Sequence, residues 1–143
     1  MNLQKKVLLL IGSPKQEPST SESLGTYLIG KLQDQGFESQ TLFLHKSFKT
    51  SDQTQILLDA VNAADLIIIA FPLYIDCLPH LVIKMMEMVA RSRKEKKTSV
   101  SQRLVGVVNN GFPESHQNDT AIDICRQFAK ETGFEWAGGL RLG

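Results

Sequence analysis

Val7-Leu8-Leu9-Leu10-Ile11 runs directly into Gly12-Ser13-Pro14-Lys15. A strand with one wet face alternates apolar and polar residues. A continuous apolar run suits a strand covered on both faces, as in a parallel sheet. Leu66-Ile67-Ile68-Ile69-Ala70 and Leu104-Val105-Gly106-Val107-Val108 have the same character. Weaker strands are predicted around Ser39 to Leu44 and from Glu135-Trp136-Ala137.

Helical patterns fill the gaps. Leu24, Leu28 and Leu32 repeat every four residues, and Gly36 can end that helix. Ile56, Ala60, Val61 and Ala64 mark a second helix. Leu81, Met85, Met86 and Val89 mark a third, which runs into the basic stretch Arg91 to Lys97. Ala121, Ile122, Cys125, Phe128 and Ala129 mark a fourth, closed by Gly133. The order is βαβαβαβαβ, with strand starts spaced as in βαβ units. Right-handed crossovers then build an α/β, three-layer, doubly wound sheet of five parallel strands.

The 143 residues suit a single domain, 1–143. Sixteen basic and fifteen acidic residues leave a charge of +1. That balance speaks against non-specific nucleic-acid binding, which needs a cationic surplus. No apolar run approaches the ~20 residues that span a bilayer. The run ending at Ile11 is too short for a signal-peptide core. Cys77 and Cys125 form no C-x-x-C pair. A cytoplasmic protein with reduced thiols is expected, with no nucleic-acid or membrane partner.

Ligands of doubly wound sheets sit outside the carboxyl ends of the strands. Three loops should therefore carry function. The first, Gly12 to Ser23, holds five hydroxyl side chains in the eleven residues from Ser13 to Ser23. At a helix N-terminus these hydroxyls, free backbone N–H groups and the helix dipole suit a phosphate monoester. Ser19 or Ser21 would equally cap the helix without a ligand. The P-loop and dinucleotide patterns both fail, because the next glycine after Gly12 is Gly25. A phospho-acceptor domain would want acidic residues at the first and third strand ends, and neither end has one.

The second loop, Phe71 to Pro79, is apolar and stiffened by Pro72 and Pro79. It suits a planar, mostly apolar group, with Tyr74 able to stack or hydrogen-bond. It could also fold onto its own core. The third, Asn109 to Ser115, contains Asn110-Gly111, where a ligand could meet backbone N–H groups. An Asn-Gly turn with a helix cap explains it as well. Cys77 lies three residues from His80, but nothing else points to thiol chemistry. His80 is expected exposed in the first turn of the third helix. His45 and His116 lack metal-ligand spacing, so no metal site is expected. The basic run Arg91 to Lys97 is expected to be a solvated helix end, on the side away from the ligand.

Gly12-Ser13-Pro14-Lys15, Ser19-Thr20-Ser21, Pro72-Leu73-Tyr74 with Pro79, and Asn110-Gly111 together resemble the flavodoxin-like NAD(P)H-dependent FMN reductases. The resemblance covers nearly the whole chain. It implies a flavodoxin-like sheet in the order 2-1-3-4-5. Ser13, Lys15, Ser19, Thr20 and Ser21 would hold the FMN phosphate. Pro72, Leu73, Tyr74 and Ile75 would line one side of the isoalloxazine, and Asn110 and Gly111 its other edge. Hydride would pass from NAD(P)H through FMN to a small-molecule acceptor: a quinone, a nitro or azo compound, a flavin or a metal ion. A flavodoxin-like electron carrier, or a remnant that binds no flavin, are the alternatives. Glu17 and Glu22 depart from the pattern by adding negative charge beside the phosphate. Such domains close with a further helix, and only a few residues follow Trp136. The final helix is therefore expected to be missing. The uncovered sheet face near Trp136 would be buried by a partner, in a homodimer or higher oligomer.

Overall fold

The computed structural model describes residues 5–13, 19–73, 78–95, 101–110 and 118–142. Five strands, β1 (Lys6–Ile11), β2 (Glu38–Phe43), β3 (Leu66–Leu73), β4 (Arg103–Asn110) and β5 (Glu135–Leu142), form one sheet. Its order is β2-β1-β3-β4-β5, and every pairing is parallel. The helices are α1 (Thr20–Asp34), the one-turn α2 (Leu44–Ser47), α3 (Ser51–Ala63), α4 (His80–Glu95) and α5 (Asn118–Thr132). The four expected helices are α1, α3, α4 and α5. α2 is an addition: Leu44 leaves the predicted second strand to open it, and buries its side chain.

Alternate residues of the central strands feed two separate cores. Leu8, Leu10, Ile67, Ile69 and Phe71 face α3, α4 and α5. Val7, Leu9, Ile11, Ile68, Ala70 and Val107 face α1. This is why β1 and β3 read as unbroken apolar runs. The predicted helical faces hold with one shift. Ile56 is 44% exposed, and Leu57 and Val61 carry the buried side of α3. α1 ends before Gly36 and α5 before Gly133, each with a positive φ that ordinary side chains rarely adopt.

β5 corrects one expectation. Trp136 is not on an uncovered face; it packs half-buried against the α5-side core, with the Arg126 guanidinium over its ring. A Cβ on Gly139 would strike Ile122 of α5, so Gly139 also faces that helix. Leu140, the next residue, points to the opposite face and is 46% exposed. The open surface is therefore the α1 side of β4 and β5. There Val105 is half-buried, and Arg103 and Glu135 form an exposed ion pair. Among the described residues no helix is long and apolar enough to cross a membrane.

The basic run holds a second correction. Arg93 is buried rather than solvated. Its guanidinium lies 4.0 Å from the Phe134 ring centroid. It donates to the Thr132 carbonyl at 3.4 Å and to Gln102 Oε1. The Gln102 amide in turn donates to the carbonyls of Val61 and Ala64, both at 2.7 Å. Gln102 thus joins the carboxyl ends of α3, α4 and α5 beneath the start of β4. Gln102→Ala would leave two buried carbonyls and the guanidinium short of partners. A loss of about 3 kcal/mol in urea unfolding is expected.

His45 of α2 contacts the Phe43 ring at 5.8 Å, and its Nδ1 is buried without a hydrogen-bond partner among the described residues. Burial lowers its pKa below the ordinary 6.5, and Lys46 and Lys49 add to the effect. Between the two values the unfolded chain binds the proton and the folded one resists it. Stability is therefore full above about pH 6.5 and falls as pH drops toward the lower folded value. Urea unfolding across this window should show that slope, and His45→Gln should flatten it.

Candidate functional site

β1, β3 and β4 end together at one edge of the sheet, and α1 and α4 begin there. α1 returns toward β2 on one face, whereas α3 crosses to β3 on the other. The chain reverses direction between β1 and β3, the place where such sheets bind ligands.

Gly12 opens the first loop. Its N–H donates to the Ala70 carbonyl at 2.8 Å, the last rung between β1 and β3. The next rung would need an N–H from residue 72, which points to the same side as residue 70. Pro72 has none. The β1–β3 ladder stops there. A Cβ on Gly12 would sit 2.4 Å from Val82 Cγ2. Glycine is thus required by the close approach of α4, independently of any ligand.

Ser19 is the N-cap of α1; its hydroxyl accepts from the Glu22 N–H at 3.1 Å. The Ser23 N–H reaches the Ser19 carbonyl at 3.0 Å. The N–H groups of Thr20 and Ser21 have no acceptor within the helix and point out of its positive end. The Thr20 side chain is exposed, whereas those of Ser13 and Ser21 are buried. Ser21 Oγ donates to Asn109 Oδ1 on β4 at 2.7 Å. Glu22 sits half-buried in the same first turn. The helix start can accept an anion chiefly through two N–H groups and the Ser19 and Thr20 hydroxyls.

Pro72 and Leu73 belong to β3 rather than to a loop, and Asn109 and Asn110 to β4; Pro72 pairs with Asn109 and Leu73 with Asn110. Pro72 is half-buried, and Leu73 is packed into the α3–α5 core. Lys15, Tyr74, Ile75, Cys77, Gly111 and His116 lie outside the described residues, as does Glu17. The sheet therefore brings Ser13, Ser19, Thr20, Ser21, Pro72, Leu73 and Asn110 to one edge. In the sequence Asn109 reads only as the start of the third loop. Its polar side chain at the end of an apolar strand was the available signal.

His80 is exposed at the first position of α4, as expected. Cys125 is buried on α5, and burial pushes its thiol up to about 12, which makes it a packing residue. Among the described residues no cluster of His, Cys, Asp and Glu could hold a metal ion. Arg93 lies at the opposite end of the sheet.

The chain matches the family model described as flavodoxin-like fold over residues 5–137. No curated protein sequence matches it. Among solved structures it is similar to a Streptococcus pneumoniae TIGR4 flavodoxin. The TM-score is 0.66 at 16% identity, over 96% of this chain and 83% of that one. It is also similar to an NADH:FMN oxidoreductase in its apo form, with TM-score 0.70 and 15% identity over 95% and 75% of the two chains. A Bacillus anthracis FMN-dependent NADH-azoreductase in complex with FMN gives 0.65 and 14% over 94% and 86%. The sheet order, the crossover at β1 and β3 and the family match agree: the chain belongs to the flavodoxin-like fold family.

Proposed function

We propose that this chain binds FMN at the carboxyl edge of its sheet and acts as an NAD(P)H-dependent oxidoreductase. Reducing equivalents would pass as hydride to a quinone, a nitro or azo compound or a free flavin, or as single electrons to a metal ion. The observation that carries the reading is the α1 start beside the β1–β3 crevice. Two first-turn N–H groups, of Thr20 and Ser21, and the Ser19 and Thr20 hydroxyls fit a phosphate there. Bound FMN would supply the hydride chemistry itself. The protein's part is binding and orientation. Ser19, Thr20 and the Ser21 N–H would hold the phosphate, with Ser13 and Lys15 beside them. Pro72, Tyr74 and Ile75 would form the wall on one side of the ring, whereas Leu73 is committed to the core. Asn110 and Gly111 would meet the far edge of the ring. Neither hydride donor nor acceptor requires an acid–base pair from the chain. The two cysteines, which form no C-x-x-C pair, favour a cytoplasmic setting.

The reading is tested by titrating FMN and riboflavin into the purified protein and following flavin fluorescence. Micromolar FMN should be quenched, riboflavin should bind more weakly, and the loaded protein should oxidise NADH or NADPH when a quinone is present. No FMN binding at micromolar concentration overturns the proposal. FMN binding without turnover of either nicotinamide would instead support an electron carrier.

We also infer that a second copy covers the open face of β4 and β5. Val105 and Leu140 give it an apolar centre, and Arg103 and Glu135 put one charge of each sign beside it. A patch of that kind is self-complementary under a two-fold axis. Light scattering should report a dimer, and Leu140→Asp should shift it toward monomer. A monomeric wild-type chain at micromolar concentration would refute this.

A further inference from the structure

Ser21 reads in the sequence as one more hydroxyl of a phosphate cradle, yet the structure turns it elsewhere. Its Oγ lies 2.7 Å from Asn109 Oδ1, and Ser21 is only 1% exposed. A serine hydroxyl has one proton. Donated to Asn109, it is not available to a phosphate oxygen, and the lone pairs that remain would repel one. Ser19 is differently placed: it sits at the cap, with its hydroxyl oxygen on the Glu22 N–H. The two serines of one short motif therefore have different tasks.

The partner explains the task. Asn109 is the penultimate residue of β4, opposite Pro72 in register, and Asn110 follows it. The Ser21–Asn109 bond runs from the first turn of α1 directly to the end of β4. It links residues 88 apart in sequence. On the FMN reading above, α1 holds one pole of the ligand and the end of β4 the other. The ligand's covalent chain fixes the distance between its phosphate and its ring. The protein must hold its own two poles at a matching separation. We infer that Ser21 and Asn109 are a pair of positioning residues that set this separation, and that the Ser21 hydroxyl is not a phosphate ligand.

The inference rests on that FMN reading, and it separates two roles for Ser21 that make opposite forecasts for Asn109. Ser21→Ala, Asn109→Ala and the double variant would be titrated with FMN and with riboflavin, which has the ring pole but no phosphate. The positioning role predicts that each single variant loses FMN affinity about tenfold, the worth of one ordinary hydrogen bond. The double variant should lose no more than either single one. The preference for FMN over riboflavin should fall equally in both, because only a ligand that spans both poles feels their separation. A bond that merely stabilised the fold would weaken both flavins alike.

If Ser21→Ala loses FMN affinity while Asn109→Ala keeps it, Ser21 is a direct phosphate ligand and the inference fails. Independent, additive losses also overturn it. Urea unfolding of the same four proteins, without flavin, reads the bond separately from the ligand. Coupling between the two substitutions is expected, and its absence overturns the inference even if FMN binds normally. Coupling in unfolding together with no FMN binding by the wild type would instead defeat the FMN reading, and the positioning role with it.

Discussion

The structure depends on one requirement: β1 and β3 carry apolar side chains on both faces, and both faces must be kept from water. A single layer of helices cannot do that. One group must lie on each side, so the connection after β1 and the connection after β2 take opposite faces. With every crossover right-handed, that places β1 between β2 and β3 and reverses the winding beside it. The crevice between the ends of β1 and β3 is thus a by-product of covering the core. The candidate site stands where the connections after β1 and β3 leave toward opposite faces.

The same requirement explains what was legible in the sequence. Five strands and four principal helices show themselves because each answers to burial, and burial leaves a period in the residues. What burial does not govern was hidden. α2 has a single turn, too short for a period. Arg93 sits in a run of cations that reads as solvated, and its burial is made tolerable by Gln102, nine residues on, and by Thr132 and Phe134 further along the chain. Polar pairs of that kind carry no local pattern. Asn109 was hidden in the same way, since its partner Ser21 lies on the first helix. The site was legible as a set of loops. Its strand-end members were not, because a proline and two asparagines read as loop residues.

The buried polar network and the candidate site occupy opposite ends of the sheet. At the amino ends of the strands, Gln102 and Arg93 gather three helix termini into one buried network. At the carboxyl ends, polar groups are left pointing outward: the first-turn N–H groups of α1, the Thr20 hydroxyl and the exposed His80. A helix terminus needs acceptors or donors at either end. The protein supplies its own at one end and, on the FMN proposal, leaves the other for a ligand. That division gives the hydroxyl-rich start of α1 its meaning. The same residues at the closed end would be ordinary caps.

Pro72 shows how narrow the boundary between the two ends is. A proline in a strand with neighbours on both sides removes a ladder bond, and it is tolerated only where a partner strand has already ended. Here β1 ends one rung earlier, with the Gly12 N–H on the Ala70 carbonyl. The missing N–H of Pro72 then makes that ending definite, since nothing from β3 can hold the Gly12 carbonyl in register. On its other side Pro72 stays paired with β4, opposite Asn109. Asn109 reaches to Ser21, and Ser21 fixes the first turn of α1. The proline ends the β1–β3 ladder and the asparagine holds the start of α1. The end of the β1–β3 ladder and the tie between α1 and β4 thus fall at one level of the sheet.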